Sequence, residues 1–278
     1  MTSAGPATPP RALAESGKPL ARLSGFARHA MAIASADLLK LKRDPTELFT
    51  RAVQPLLWLL VFGQVFSRTR AIPTGALSYL AFMAPGVLAQ SVLFAAIFYG
   101  IAVIWERDLG IVHKLLVAPA SRSSLVTGKA IAAGVRGLVQ GVIVFIIALL
   151  LGVHVRLDPL SVLGVGVAVF MGSALFATFS LLVACVVKTR ERFMGIGQLL
   201  TMPLFFASNA IYPITMMPNW LRAIAEVNPL TYLVDALRTL MVMGAVSVTG
   251  VPLDFAVMGA GIVGLIVAAA WLYPDLAR

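Results

Sequence analysis

The chain has 278 residues, of which 59% are hydrophobic and only 12% are charged. Soluble domains are about half apolar and about a quarter charged, so this composition excludes an ordinary soluble enzyme and predicts an all-α integral membrane protein. The net charge of +10 can also indicate nucleic-acid binding, but there is no soluble domain to present a basic face, and we expect no nucleic acid as a partner. The single cysteine, Cys185, excludes an intrachain disulfide and a cysteine-based metal cluster.

The N-terminal part is predicted to lie outside the membrane-spanning domain. Residues 1–19 are rich in Pro, Ala, Ser and Gly, a composition typical of a disordered tail. Residues 20–43 carry apolar and basic side chains on opposite helical faces, which predicts an amphipathic helix at the membrane interface. A helix that packs on a soluble partner would have the same pattern. The apolar face comprises Leu20, Leu23, Ala27, Ala30, Met31, Ala34, Leu38 and Leu41.

Residues 44–278 are predicted to form one domain with six transmembrane helices. Asp44 and Pro45 suit the cap and the first position of a helix, so the first span begins there. Its apolar part is short for a bilayer of about 30 Å, and we expect its first turns to lie among the lipid headgroups. The spans cover residues 45–66, 77–104, 131–153, 160–187, from 194 onward, and 255–273.

Two short helices are predicted between the fifth and the last span, at 218–227 and 230–244. In the second one, Asp235 and Arg238 lie opposite the apolar stripe. Each charge near the middle of a bilayer costs about 2.5–3.5 kcal/mol on insertion scales, so this segment is not predicted to span the membrane. We expect both helices on the outer side, re-entering the membrane only partway, with Asp235 and Arg238 at the surface.

The distribution of lysine and arginine predicts the orientation. If both termini are cytoplasmic, the inner side holds 17 of the 22 basic residues and the outer side holds 5. Basic residues concentrate in cytoplasmic loops, so we expect a protein with both termini inside. The loop at 105–129 then faces the cytoplasm.

The sequence lacks the motifs of an ATPase or a catalytic centre. Gly128-Lys129 is followed by Ala130 and has no glycine at the spacing of a phosphate-binding loop, and the three histidines are too far apart for a metal site. No catalytic residue, cofactor or metal is predicted in this chain. A proton-driven carrier usually places a carboxylate within a span, whereas the acidic residues here lie at span ends or in loops. Arg136 is expected to reach the cytoplasmic interface, or else to line a polar cavity.

The charged loop at 105–129 interrupts two apolar runs and contains a short predicted helix. Ile111, Leu115 and Leu116 share one side of it, His113 and Lys114 lie on the other, and Pro119 ends it. Such a segment is either a solvated connector or a docking element that takes force from a soluble partner. The local pattern leaves both interpretations open.

Three regions of the chain carry a family resemblance. The first is the run from Asn228 to Arg238, and the second comprises the runs Ser208 to Pro213 and Met217 to Leu221. The third comprises Trp105-Glu106-Arg107 and the run Leu115 to Pro119. Together they resemble type-2 ABC-transporter permeases, in particular the bacterial branch that exports drugs, polysaccharides or lipo-oligosaccharides. The similarity extends over nearly the whole chain from about Leu20. Its signature positions are Asn228, Pro229, Tyr232, Asp235 and Arg238.

The resemblance implies the transmembrane half of an exporter in the bacterial inner membrane. Two copies would pair as a homodimer, and an amphipathic drug, lipid or glycolipid would move outward along their seam. Each copy would bind a separate ATPase subunit, which binds ATP and Mg. Glycine pairs such as Gly137 and Gly141 allow close helix contact, between copies or within one.

The same resemblance assigns two sets of site residues in this chain. The translocation path is predicted from polar and aromatic side chains in spans one, two and five, for which ordinary packing is the alternative. Its members are Gln54, Trp58, Phe62, Gln90, Phe94, Gln198, Phe205, Ser208 and Asn209. The contact with the ATPase is predicted at Glu106, Arg107, Ile111, His113, Lys114, Leu115, Leu116 and Pro119.

Other functions compete with drug or lipid export. A permease for polysaccharide or lipo-oligosaccharide belongs to the same family, and a channel that opens without ATP or a membrane scaffold would have a similar composition. A bound ATPase separates the exporter from the channel and the scaffold.

Overall fold

The computed structural model describes residues 19–43, 53–69, 72–117, 120–187 and 189–273. The predicted tail at 1–18, the helix start at Asp44-Pro45, Pro119 and the C-terminal residues 274–278 lie outside these ranges. Within them the structure is helical and contains no strand, apart from one isolated bridge between Val155 and Val242. The prediction of an all-α protein is confirmed for this part of the chain.

Ten helices follow one another along the described residues. Helix α2, at 53–69, contains a π-helical turn at Trp58–Gly63. A single 3₁₀ turn, Ile214–Met216, precedes α8. The other helices are α1 Pro19–Arg43, α3 Tyr79–Asp108, α4 Ile111–Val117, α5 Arg122–Leu150, α6 Pro159–Val186, α7 Arg190–Phe206, α8 Asn219–Val227, α9 Pro229–Met241 and α10 Val251–Leu272.

Four of these helices, α3, α5, α6 and α10, are long and apolar enough to cross a membrane. They correspond to the predicted second, third, fourth and last spans. Helix α7 has 17 residues and is about 25 Å long at 1.5 Å per residue, slightly less than the hydrocarbon thickness of a bilayer. Of the predicted first span, the structure describes the part from residue 53 onward.

Polar side chains cap the starts of α3, α5 and α6 and so fix where these helices begin. The hydroxyls of Ser78 and Ser121 each accept a hydrogen bond from the backbone N–H three residues later in the chain, at 3.2 Å in both cases. Asp158 caps α6 in the same way, with 3.0 Å to the N–H of Ser161. Each cap satisfies a donor that the first helical turn leaves free, and the helix boundaries therefore follow from local sequence.

Helices α3 and α6 form the centre of the molecule and pack against each other. Around them lie α5, α7, α9 and α10, with α2 against α3 and α1 against α5. The predicted glycine face packs within one subunit, because a side chain at Gly137 would overlap the Ser173 hydroxyl of α6. The close approach of α5 and α6 therefore depends on this glycine.

Helix α1 packs along α5, with Ala30 and Ala34 buried between the two helices. A Cβ atom at Gly128 would lie 2.6 Å from the Ala30 carbonyl oxygen, so the two backbones are in close contact. Met31, from the same predicted apolar face, is exposed. Part of that face is thus covered by the protein itself, and Met31 remains available to lipid.

Helix α9 is buried over most of its length, including Asp235 and Arg238. The prediction that these two charges lie at the surface is wrong, because backbone groups from neighbouring segments bind both of them. Helix α8 has the opposite character. Its Trp220 and Ile224 side chains are exposed, and Arg222 pairs with Glu226 on its surface at 3.0 Å.

Candidate functional site

The short helix α4 is placed by a sharp turn at the end of α3. Gly110 has a positive φ of 72°, a conformation that favours glycine, and its N–H donates to the Arg107 carbonyl at 2.8 Å. The chain therefore leaves α3 and starts α4 in a new direction after only two residues.

Helix α4 turns one side inward and one side outward. Val112 is fully buried, and Leu115 and Leu116 pack against the core. His113 and Lys114 are exposed, and Val117 is 88% exposed. Ile111 lies at the edge of the exposed side. We call Ile111, His113, Lys114 and Val117 the α4 docking face.

This arrangement places the predicted ATPase-contact residues of α4 on two different sides of the helix. Leu115 and Leu116, expected to contact the partner, support α4 from inside, while Val117 was not in the predicted set. The spacing of His113, Lys114 and Val117 is i, i+1 and i+4, so the three share one face of a helix. That spacing was the signal in the sequence that could have identified Val117. Pro119, also predicted to contact the ATPase, is outside the described residues.

The helices on either side of the α4 loop contribute to a buried group of charges, Asp37, Glu106 and Lys129, which we call the ion cluster. Lys129 Nζ lies 2.6 Å from Glu106 Oε2 and 3.8 Å from Asp37 Oδ2. The Tyr99 hydroxyl donates to Asp37 Oδ2. The Lys129 side chain is 3% exposed, so all these groups are shielded from water.

The ion cluster joins three helices. Asp37 belongs to α1, Glu106 to the last turn of α3 and Lys129 to the second turn of α5. Removing one partner of a buried ion pair costs about 3–5 kcal/mol, because the remaining charge stays buried without compensation. The loop that contains α4 is therefore held firmly at both of its ends.

Glu106 was predicted to contact the ATPase, but the structure places it inside the protein as the partner of Lys129. Arg136, predicted to reach the interface or a cavity, lies with its guanidinium carbon 5.5 Å from the centre of the Tyr99 ring. It is thus a neighbour of the ion cluster. Sequence reasoning missed the cluster because its members are far apart along the chain.

The opposite side of the same α3 turn contacts α7. Asp108 binds Arg107, with 2.8 Å between Arg107 Nη2 and Asp108 Oδ1. It also binds Arg190, the first residue of α7, with 2.7 Å between Arg190 Nη2 and Asp108 Oδ2. The Arg190 guanidinium lies over the Trp105 ring, 4.1 Å from its centre.

Some of the predicted translocation residues line a cleft of about 170 Å³ between α2 and α3. Two amides, Gln54 and Gln90, face it together with Phe94 and Phe98. No charged side chain is among its lining residues. The cleft therefore combines aromatic surface with neutral hydrogen-bonding groups.

Aromatic rings connect α2, one wall of this cleft, to α7. Trp58 and Phe62 stack with their ring centres 4.6 Å apart, and Trp58 meets Phe205 of α7 edge to face at 5.9 Å. Gln198, another predicted path residue, lies on α7 with its side chain exposed. Helix α2 therefore packs against both α3 and α7.

Three predicted path residues are instead packed inside the protein. Phe205, Ser208 and Asn209 are buried. The Ser208 hydroxyl donates to the Phe205 carbonyl at 2.7 Å and so closes the end of α7. The Asn209 carbonyl accepts from Arg238 Nη2 at 2.6 Å. For these residues the described contacts are structural.

Asn228 joins the end of α7 to the start of α9. Its side-chain amide donates to the carbonyls of Leu204 and Ala207, at 2.7 Å each, and its Oδ1 accepts the N–H of Leu230 at 3.0 Å. The carbonyls at a helix end lack partners within the helix. One side chain therefore completes the hydrogen bonds of two helix ends, and Pro229 suits the first position of α9.

The remaining signature residues hold α9 to its neighbours. Tyr232 donates to the Glu226 carbonyl at 2.6 Å, which ties α9 to α8. Asp235 accepts the N–H of Val248 at 3.0 Å and the hydroxyl of Ser247 at 2.5 Å, which fixes the loop before α10. Arg238 donates to the Phe82 carbonyl at 3.2 Å and lies over the Phe82 ring, so it ties α9 to α3.

The signature residues lie within a region that matches a known family. Residues 28–242, more than half of the chain, match the family described as ABC-2 type transporter. The chain belongs to the ABC-2 type transporter family. It is therefore a transport permease, the membrane subunit of a transporter rather than an ATPase.

Several permeases are similar to this one over most of their length. The transport permease ycf38 of Cyanophora paradoxa is 33% identical over 205 residues, which cover 73% of this chain and 70% of the relative. The daunorubicin resistance ABC transporter permease protein DrrB1 of Streptomyces coeruleorubidus is 28% identical over 205 residues, covering 73% and 71%. The inner membrane transport permease YadH of Escherichia coli is 25% identical over 203 residues, covering 71% and 74%.

The permease's described residues contain no group of three or more His, Cys, Asp or Glu side chains that could hold a metal ion. The buried charges of this part of the chain bind one another, hydroxyl groups or the backbone. Two surface features remain: an exposed basic and apolar face on α4, and a neutral aromatic cleft beside α2.

Proposed function

We propose that the permease is the transmembrane subunit of an ATP-driven exporter, and that a separate ATPase subunit binds the α4 docking face. The observation that carries this proposal is the ion cluster on both sides of the loop that contains α4, with Glu106 before the loop and Lys129 after it. A solvated connector needs no fixed orientation. Here the connector is a helix that is anchored at both ends and exposes Val117, Lys114 and His113 together.

The docking face suits a protein partner rather than water. Val117 and Ile111 provide apolar contact, and Lys114 provides a positive charge beside them. An exposed apolar side chain of this kind is covered when a groove of a partner receives the helix, and the burial of apolar surface drives such helix-in-groove binding. A groove with an acidic rim would complement Lys114.

A second copy of the permease would complete the path. The exposed face of α2 presents Val53, Leu57, Val61 and Val65, each about half exposed and spaced four residues apart. This spacing forms a straight apolar ridge on one side of the helix. In the proposed dimer the ridges of two copies meet, and the neutral clefts at Gln54 and Gln90 lie beside the seam.

The cleft favours an amphipathic substrate, such as a drug or a lipid. The relative DrrB1, named for daunorubicin resistance, supports a drug. In the proposed topology six helices span the membrane, including α2 and α7, and both termini are cytoplasmic. Helices α8 and α9 then lie on the outer side, and the α4 docking face meets the ATPase in the cytoplasm.

Copurification tests the docking proposal. The tagged permease is extracted in mild detergent from its native membrane, and the soluble proteins that accompany it are identified and counted. We expect about one ATPase subunit per permease, and we expect the variant Lys114→Glu with Val117→Asp to lose it. The matched control is Arg156→Glu with Leu157→Asp, the same chemical changes on the proposed outer side, which keeps the ATPase.

An intact preparation without any ATPase would refute the proposal and favour a channel or a scaffold. Retention of the ATPase by the Lys114→Glu, Val117→Asp variant would refute the docking face alone. The elution volume in size-exclusion chromatography shows whether each variant is folded, so that loss of partner is separated from loss of structure.

A further inference from the structure

The last turn of α3 has two sides with different contacts. On one side Glu106 enters the ion cluster, which joins α3 to α1 and α5. On the other side Trp105 and Asp108 meet Arg190 at the start of α7. A single helical turn, two residues before α4, therefore connects α3 to α1 and α5 on one side and to α7 on the other.

We propose that Arg190 is a positioning residue that couples α4 to α7 through a latch made of Trp105, Asp108 and Arg190. This inference rests on the proposed function, since it assumes that a partner moves α4. The latch makes α7 follow the docking face when the ATPase changes shape.

The geometry of the latch suits this role. Arg190 Nε and Nη2 both point at Asp108 Oδ2, at 3.0 Å and 2.7 Å, and the flat face of the guanidinium covers the Trp105 ring. Two donors and a stacked ring fix the orientation of Arg190 as well as its distance. Because Arg190 begins α7, a displacement of Asp108 acts directly on the end of that helix.

The ion cluster and the latch differ in exposure. The Lys129 and Glu106 side chains are 3% and 10% exposed, whereas those of Arg190 and Asp108 are 36% and 34% exposed. A buried pair is expensive to break, while a partly exposed pair opens and closes readily. The cluster therefore makes α1, α4 and the adjoining ends of α3 and α5 move as one body, and the latch is a reversible connection from that body to α7.

Motion of α7 would reach the proposed path. One turn beyond Arg190, the buried Phe193 lies against Gly100 of α3, where a side chain on the glycine would overlap its ring. At the far end of α7, Phe205 meets Trp58 of α2. Helix α7 thus links the latch to the aromatic contact beside the cleft.

Thiol labelling can follow this motion without any transported substrate. Leu199 is exposed on α7 and is replaced by cysteine in a Cys185→Ala background, since the native Cys185 is buried. The complex with its ATPase is reconstituted, and the rate of maleimide labelling is measured with and without ATP plus vanadate. We expect ATP to change the labelling rate in the permease with an intact latch.

The latch variants then separate transmission from ATP hydrolysis. With Arg190→Ala we expect the ATP-dependent change in labelling to fall by about fivefold, the factor that an ion pair worth about 1 kcal/mol contributes to an equilibrium, while ATP hydrolysis continues. Arg190→Lys retains the charge but loses the two-donor geometry, so it gives an intermediate value. Exchange of the charges, Arg190→Asp with Asp108→Arg, restores part of the change. Arg192→Ala, on the same turn of α7, is the control and behaves like the parent.

Each failure has a distinct meaning. An undiminished ATP-dependent change in Arg190→Ala overturns the latch, and so does a complex that hydrolyses ATP without any change at position 199 in the parent. Absence of a bound ATPase overturns the proposed function and the latch together. If Arg190→Ala does not fold, the charge exchange decides: no recovery relative to Asp108→Arg alone contradicts the proposal.

Discussion

Replacing Lys129 by methionine should destabilise the permease more than any change on its surface. Methionine has a similar length but no charge, so the carboxylates of Glu106 and Asp37 lose the cation between them. Breaking a buried pair from one side costs about 3–5 kcal/mol. A folded domain is stable by only about 5–15 kcal/mol, and the loss is therefore a large fraction of the total.

Thermal unfolding in detergent, followed by intrinsic fluorescence, measures this effect. For a chain of this size about 1 kcal/mol corresponds to roughly 2–4 °C in Tm, so we expect Lys129→Met to lower Tm by roughly 6–20 °C. Lys114→Met makes the same chemical change on the exposed side of α4, where such substitutions alter stability by at most about 0.5 kcal/mol. It is the matched control.

A second substitution tests the reason for the loss. Lys129→Met with Glu106→Gln removes both charges of the closest pair, so less uncompensated charge remains buried and Tm should recover in part. The reasoning is refuted if Lys129→Met unfolds at the same temperature as Lys114→Met. It is also refuted if the double variant loses more stability than the two single variants lose together.

Two further predictions concern helix ends. Asn228→Ala removes the bonds to Leu204 and Ala207 and the cap of α9, and should cost about 2–3 kcal/mol; an unchanged Tm would contradict this assignment. The N–H of Ser161 holds the pKa of the Asp158 carboxyl below its ordinary value. Because the pKa of Asp158 is lower in the folded protein than in the unfolded chain, its carboxylate stabilises the fold at neutral pH. This stabilisation is lost as the pH falls through the folded-state pKa. The acid side of a plot of Tm against pH should therefore flatten slightly in Asp158→Asn.

Local sequence predicted those parts of the structure that depend on local physics. The apolar runs became α3, α5, α6 and α10 because their length and composition suffice. The Asn228-Pro229 pair predicted the start of α9 because an amide cap and a first-turn proline act within one helical turn. The short helix at Ile111–Val117 was predicted from the spacing of its apolar and polar side chains, which is also local.

Contacts between distant segments could not be predicted in this way. Glu106 and Lys129 are 23 residues apart, and Asp37 and Tyr99 are 62 apart, so their pairing depends on how α1, α3 and α5 pack. Asp235 and Arg238 looked like a solvent-facing pair on a helical wheel. Their partners are backbone groups of other segments, which a wheel of α9 alone does not contain.

The orientation of α4 shows a further limit. Its seven residues include apolar side chains on nearly all sides, namely Ile111, Val112, Leu115, Leu116 and Val117. Periodicity in so short a helix does not distinguish the side that faces the core from the side that faces a partner. The turn at Gly110 and the anchors at Glu106 and Lys129 decide it.

The most direct test of the exporter proposal is ATP-dependent transport by the reconstituted complex. The permease and the ATPase that copurifies with it are placed in sealed vesicles, and the movement of daunorubicin and of a fluorescent phospholipid is measured in parallel. We predict net outward movement of at least one of them that requires both subunits and hydrolysable ATP. Equal movement through the permease alone, without ATP, would contradict the account and indicate a channel.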